Sequence, residues 1–213
     1  MTKTARPTVL FIHGMGRSSL SAWPMLRELS RNGFITQRFD YFVSLSSFAQ
    51  IKSRLKQRIV DLATAGDYIL VGHSLGGVLI RAALNDLPVS VRLPRHVYLL
   101  GSPMRSSLLA KKLRPNPLFR LLTGDCGALL GSDKRMQMIG SLTTPTSAII
   151  GARTIALTRR IFQQQPNDGV VTQYETSASW FQHEIELPLI HSVLPSSTQI
   201  ARLISADFSN ATE

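Results

Sequence analysis

Hydrophobic positions along the chain fall into two alternating rhythms. Short apolar or β-branched runs, at Thr8 to Ile12, Phe34 to Phe39, Tyr68 to Val71, Val97 to Leu100, Ser147 to Ile150 and Ile185 to Ile190, read as strands. Between and after them, apolar residues return every three or four positions over Ala22 to Arg31, Ser47 to Ala63, Gly76 to Leu87 and Ser197 to Asp207, which predicts helices. In the second of these, Ile51, Leu55, Ile59 and Leu62 share one face, and Lys52, Arg54, Lys56 and Arg58 lie between them as a solvated surface. Strands that alternate with helices bury both faces of a sheet when they run parallel, with helices on either side. The expected fold class is therefore α/β, with a mainly parallel sheet of about six strands.

From Gly101 to about Pro145 the rhythm loosens. Pro103, Pro115 and Pro117 and the turn glycines Gly124, Gly127 and Gly131 punctuate it, and Leu108 to Arg114 is leucine-rich and basic. Such a segment is too long for a plain connection between two strands of one sheet, which predicts a helical, lid-like insertion rather than a second domain. Residues 1–213 thus read as a single domain carrying an insertion at about 101–145.

The strongest chemical signal is Gly72-His73-Ser74-Leu75-Gly76-Gly77, directly after the apolar run Tyr68-Ile69-Leu70-Val71 and before a helical pattern. In a G-x-S-x-G turn of this kind, Gly72 and Gly76 lack the Cβ atoms that would clash, and the serine hydroxyl stands at the tip. The same five residue types also occur as plain strand-to-helix turns; the flanking strand and helix select the nucleophile elbow. A serine hydroxyl at its ordinary pKa needs a histidine base and an orienting carboxylate, in the chain order serine, acid, histidine. His191 follows the last apolar run, and its rival His183 lies just before that run, at the opposite end. The acid is expected at Asp168, in the turn Pro166-Asn167-Asp168-Gly169, 23 residues before His191, while Asp125 and Asp133 in the basic insertion read as surface charges. The tetrahedral oxyanion of acyl transfer needs two N–H donors. Leu75, at a helix N-terminus just after the serine, supplies one, and Met15, in the glycine-bearing loop His13-Gly14-Met15-Gly16, supplies the other.

The five segments Ile12-His13-Gly14-Met15-Gly16, Gly72-His73-Ser74-Leu75-Gly76-Gly77, Leu100-Gly101-Ser102-Pro103, Asn167-Asp168-Gly169-Val170-Val171 and His191 occur in one order over nearly the whole chain. Together they resemble the α/β-hydrolase superfamily, and within it the small bacterial lipases and esterases. The resemblance implies a compact α/β-hydrolase fold with Ser74 as nucleophile, Asp168 as orienting acid, His191 as general base, and the N–H groups of Met15 and Leu75 as oxyanion donors. It also implies hydrolysis of acyl esters through an acyl-enzyme. Acyl transfer, or a thioester, amide or phospholipid substrate on the same triad, stays open as the alternative. No metal or organic cofactor is called for.

Composition adjusts this picture in two places. At 44% hydrophobic and 17% charged residues, with a mean hydropathy of +0.07, the chain is suited to one buried core and excludes extended disorder. No apolar run approaches the roughly 20 residues that cross a bilayer. The N-terminus carries Lys3 and Arg6, and its apolar run stops at His13-Gly14, short of a secretory signal. A single cysteine, Cys126, cannot form an internal disulfide, so a reducing, cytoplasmic location is the expectation. The charge is less ordinary: 24 Lys and Arg against 13 Asp and Glu leave +11, of which residues 101–160 supply +8. Leu108, Leu109, Leu113, Leu118, Phe119, Leu121 and Leu122 are expected to flank the site. Basic residues among these leucines fit peripheral contact with an anionic lipid surface or a negatively charged acyl substrate, and equally a folded lid whose charges face water. With 7% aromatic residues and no recognised nucleic-acid motif, the partners expected are acyl ester or lipid and not nucleic acid, and the chain is expected to be a monomer.

Overall fold

A computed structural model describes residues 6–208; the two ends of the expected 1–213 domain, Lys3 among them, lie outside the described residues. The strands β1 (Thr8–Ile12), β2 (Ile35–Phe39), β3 (Tyr68–His73), β4 (His96–Leu100), β5 (Thr146–Gly151) and β6 (His183–Leu187) form one sheet in the order β2-β1-β3-β4-β5-β6. Every neighbouring pair is parallel. Ile12 pairs with both Phe39 and Gly72, Leu100 with Ile149, and Gly151 with Leu187, so the carboxyl ends of the strands share one edge. The connections reverse direction between β1 and β3, and the loops leaving these two strands at that edge are His13-Gly14 and Ser74. In open parallel sheets such a crevice is where ligands bind.

The near-continuous apolar strands are explained by burial on both sides. On one face Leu10, Ile12 and Leu70 pack in a core with Ile51, Leu55, Ile59 and Leu62 of α2 (Phe48–Ala65) and with α3 (Leu75–Leu84). On the other, Val9, Phe11, Ile69 and Val71 pack with Met25 and Leu29 of α1 (Trp23–Arg31) and with Ile200 and Ile204 of α8 (Thr198–Asp207). A capping box starts α2, in which the Ser47 hydroxyl accepts from Gln50 N–H while Gln50 Oε1 accepts from Ser47 N–H.

The insertion holds α4 (Leu108–Leu113), α5 (Pro117–Leu130) and α6 (Asp133–Gln137), with α5 bent at Gly124 where φ is +53°. It is rooted in the protein, since Ala110, Cys126, Leu129, Leu130 and Met136 belong to the same core as α2 and α3. Asp125 is correspondingly more than a surface charge: its carboxylate accepts from Phe48 N–H at the start of α2 at 3.0 Å and from Arg135 at 2.7 Å. Asp133 is exposed, paired with Lys111 at 2.8 Å. The last strand differs from the sequence expectation, starting at His183 and stopping at Leu187, because Pro188 has no N–H to continue the ladder. Two further residues, Leu189 and Ile190, then lead to His191. A short helix α7 (Gln173–Thr176) follows the Asp168 turn. No helix among the described residues is long and apolar enough to cross a membrane.

Candidate active site

Ser74 is the whole of the turn between β3, which ends at His73, and α3, which begins at Leu75. Its φ of +53° lies in the left-handed region, which is disfavoured by roughly 1–3 kcal/mol for a residue with a Cβ. Ser74 N–H donates to Leu100 O at 2.9 Å, and Ser74 O accepts from Gly77 N–H at 3.1 Å, which holds the turn in place. The sharpness of the turn explains its glycines. A Cβ at Gly72 would lie 2.6 Å from Gly77 N, and one at Gly76 would run into Ile12 O at the end of β1.

The expected acid and base meet directly. His191 Nδ1 is 2.6 Å from Asp168 Oδ2, with the histidine 6% and the aspartate 1% exposed. The pairing occupies Nδ1 and leaves Nε2 as the ring nitrogen available to a reacting group. The other carboxylate oxygen, Asp168 Oδ1, accepts from the N–H groups of Val170 and Val171 at 3.0 and 2.9 Å. This turn is completed by Gly169 at a φ of +97° and by Asn167, whose side-chain oxygen accepts from Gly169 N–H. Backbone joins the same two residues, as His191 N–H donates to Asp168 O at 2.9 Å. His183, the rival base, is exposed at the start of β6 and pairs in register with Ser147, at the opposite end of the sheet.

His73 ties this pair to the elbow. Its ring centroid is 4.7 Å from that of His191, and its Nε2 lies 3.1 Å from the carbonyl oxygen of His191, an acceptor, so Nε2 carries the proton and donates. The other nitrogen, Nδ1, is buried without a hydrogen-bond partner and faces Gly14, where a Cβ would approach it to 2.8 Å. Burial, reinforced by the neighbouring His191, pushes the His73 pKa well below the ordinary histidine value, which keeps the ring neutral.

On the other side of Ser74, the β1 loop closes in: a Cβ at Gly14 would come within 3.0 Å of Ser74 Cβ. Gly14 is buried and Met15 is half-buried next to it, while Leu75 is the first residue of α3, where an N–H group has no partner within the helix. His13 and Tyr41 brace the loop. Their rings stack at 4.2 Å, and the Tyr41 hydroxyl donates to His13 O at 2.6 Å. A cavity of about 640 Å³ opens beside the loop, lined by Gly14, Gly16, Arg17, Leu20, Phe42 and Leu122 among others.

The five expected site residues therefore gather around one sheet edge, Asp168 and His191 in contact, Ser74 beside Gly14, and Met15 and Leu75 next to these. Of the leucines expected to flank the site, Leu122 lines this cavity, whereas Leu108 lines another with Met104, Tyr174 and Glu175. Sequence reasoning missed Tyr41, His73 and Glu175. The buried Glu175 carboxylate accepts from Thr172 N–H and Leu108 N–H, linking the helix after the acid turn to the insertion. Among the described residues no group of three His, Cys, Asp or Glu side chains would hold a metal ion.

The sequence profile of the Alpha/beta hydrolase family matches residues 9–189. The chain belongs to the α/β-hydrolase family. Solved structures agree with that fold throughout. A lipase of Bacillus licheniformis in its mature form superposes with a TM-score of 0.66 at 16% identity, over 98% of this chain and 94% of that one. A metagenomic carboxyl esterase gives 0.76 at 13% identity over 98% and 77% of the two chains. A thioesterase of the prodiginine biosynthetic pathway in Streptomyces coelicolor gives 0.65 at 15% identity over 97% and 91%. At these identities the likeness is one of fold. No curated protein sequence matches this α/β-hydrolase.

Proposed function

We propose that this α/β-hydrolase cleaves carboxylic esters of acyl chains through an acyl-enzyme on Ser74. The observation that carries the reading is the buried contact of 2.6 Å between His191 Nδ1 and Asp168 Oδ2, on the loop that His73 joins to the elbow. In this reading His191 takes the proton of the Ser74 hydroxyl as the oxygen attacks the acyl carbonyl, and returns it to the departing alcohol. Asp168 fixes the tautomer with the proton on Nδ1 and stabilises the imidazolium. The N–H groups of Leu75 and Met15 donate to the oxyanion, helped by the positive end of α3. Water then gives a proton to His191 as its oxygen attacks the acyl carbon, and the Ser74–acyl bond breaks with that proton passing to Ser74 Oγ, which releases the acid and restores the free enzyme. These steps call for no metal or organic cofactor.

Hydrolysis of a chain-length series of p-nitrophenyl acyl esters tests this. Turnover is expected in the wild type, with a fall of roughly 10⁶-fold in Ser74→Ala and about 10⁴-fold in Asp168→Asn. Equal turnover by Ser74→Ala and wild type would sink the assignment.

A further inference from the structure

The first turns of α5 carry their apolar stripe on the outside. Leu118, Leu121 and Leu122 follow the i, i+3, i+4 spacing of one helix face and are 60%, 73% and 58% exposed. The other side of these turns meets the protein, with Phe119 packed on the core and Thr123 buried. After the bend at Gly124 the pattern reverts, and Cys126, Leu129 and Leu130 turn inward. An apolar helical stripe normally faces a core, and one turned outward marks a surface that another apolar phase covers.

Position and charge indicate that phase. Leu122 lines the cavity beside Gly14 together with Leu20 and Phe42, both well exposed, so the stripe continues into the rim of that cavity. Arg114 and Arg120 line a second groove, of about 850 Å³, together with Leu121, which places cations beside the stripe. No acidic residue occurs between Asp86 and Asp125. The two carboxylates that follow, Asp125 and Asp133, are already paired with Arg135 and Lys111. Lys112, Arg114 and Arg120 therefore face outward unneutralised among the described residues. Exposed leucines flanked by cations suit the boundary between headgroups and acyl chains of an anionic bilayer, whereas a single-stranded nucleic acid stacks on aromatic rings, which this stripe lacks.

We propose that this rim docks on the surface of an anionic lipid bilayer. Leu118 and Leu121 enter the headgroup boundary, Lys112, Arg114 and Arg120 meet the headgroups, and the cleft faces the acyl phase. The proposal rests on the reading of the site as an acyl-ester hydrolase and names where its substrate comes from.

Sedimentation of the full chain with vesicles of phosphatidylcholine alone, and of phosphatidylcholine mixed with phosphatidylglycerol, tests it. Binding is expected to the mixed vesicles and to weaken as salt rises. Arg114→Gln with Arg120→Gln should weaken it about 25-fold, roughly fivefold for each charge. Leu118→Ser with Leu121→Ser should weaken it severalfold at unchanged charge. Both double variants should keep the thermal midpoint and the turnover of a short, water-soluble ester. Absence of binding to the mixed vesicles overturns the proposal, as does binding that the leucine changes leave intact. Tight binding to heparin or RNA that is likewise indifferent to the leucines would identify a soluble polyanion instead and also overturn it. Vesicle binding needs no catalysis, so Ser74→Ala should bind as the wild type does. A protein that behaves as expected on vesicles but turns over no ester keeps the docking surface and loses the esterase reading.

Discussion

Burial holds several side chains in one protonation state, and this governs how the protein responds to pH. His13, His73 and His96 all have pKa values lowered from the ordinary 6.5, in each case chiefly because the charged ring would lose its hydration. The unfolded chain takes up protons near pH 6.5 that the folded chain refuses. Stability contributed by each histidine is therefore present above that pH and is lost as pH falls below it, by up to about 1.4 kcal/mol per pH unit per group. Glu175, whose carboxyl burial pushes up, opposes this nearer its ordinary value of 4.5. Urea midpoints measured between pH 7 and 5 should decline, and less steeply in His73→Gln; a flat profile in the wild type would contradict the buried, neutral assignment. Cys126 is the thiol counterpart, pushed up to about 12 by burial and then by Asp125. It should resist iodoacetamide at pH 8 in the native protein and react once denatured. At this scale the strand-to-helix turn at Ser74 and the contact between Asp168 and His191 were legible because each residue carries a local signature, a glycine elbow, an Asp-Gly turn and a position after a strand. Tyr41, His73 and Glu175 were not, because what they do depends on partners distant in sequence, such as His191 O for His73 and Leu108 N–H for Glu175.

Elements are where the site gets its rigidity. Close packing of β1 on the start of α3 leaves no room at Gly76, so Gly76→Ala should destabilise the fold by roughly 1–3 kcal/mol and reduce soluble expression. Calorimetry showing an unchanged midpoint would mean the elbow is looser than described. At the insertion, Asp125→Ala removes the acceptor for Phe48 N–H and the partner of Arg135, and should lower stability by about 1–2 kcal/mol. The strands and long helices could be read from periodicity to within a residue or two, since each is buried along a regular face, apart from the end of α3, expected at Leu87 and found at Leu84, and the end of β6. The end of β6 was misplaced because Ile185 to Ile190 is uniformly apolar apart from Glu186, while the ladder stops at Pro188 for want of a donor. The rooting of the insertion was hidden for a related reason: helices as short as α4 and α6 offer too few turns to display which face is buried.

For the whole molecule, topology and charge together set where the candidate site and the apolar stripe of α5 lie. The crossover between β1 and β3 brings the Gly14 loop and Ser74 to one crevice, and the insertion after β4 places Leu122 in the cavity beside that loop and Leu121, Arg114 and Arg120 along a second groove. Sequence alone supplied the charge surplus and the leucines but not their arrangement, because the outward stripe of α5 follows from the bend at Gly124. In the proposed chemistry Ser74 is a nucleophile activated by His191 and Asp168. Labelling the purified protein with a fluorophosphonate and mapping the modified peptide tests it most directly. One equivalent of label is expected on Ser74, strongly slowed in His191→Ala and absent in Ser74→Ala. Label on another residue, or a wild type that does not react at all, would contradict it.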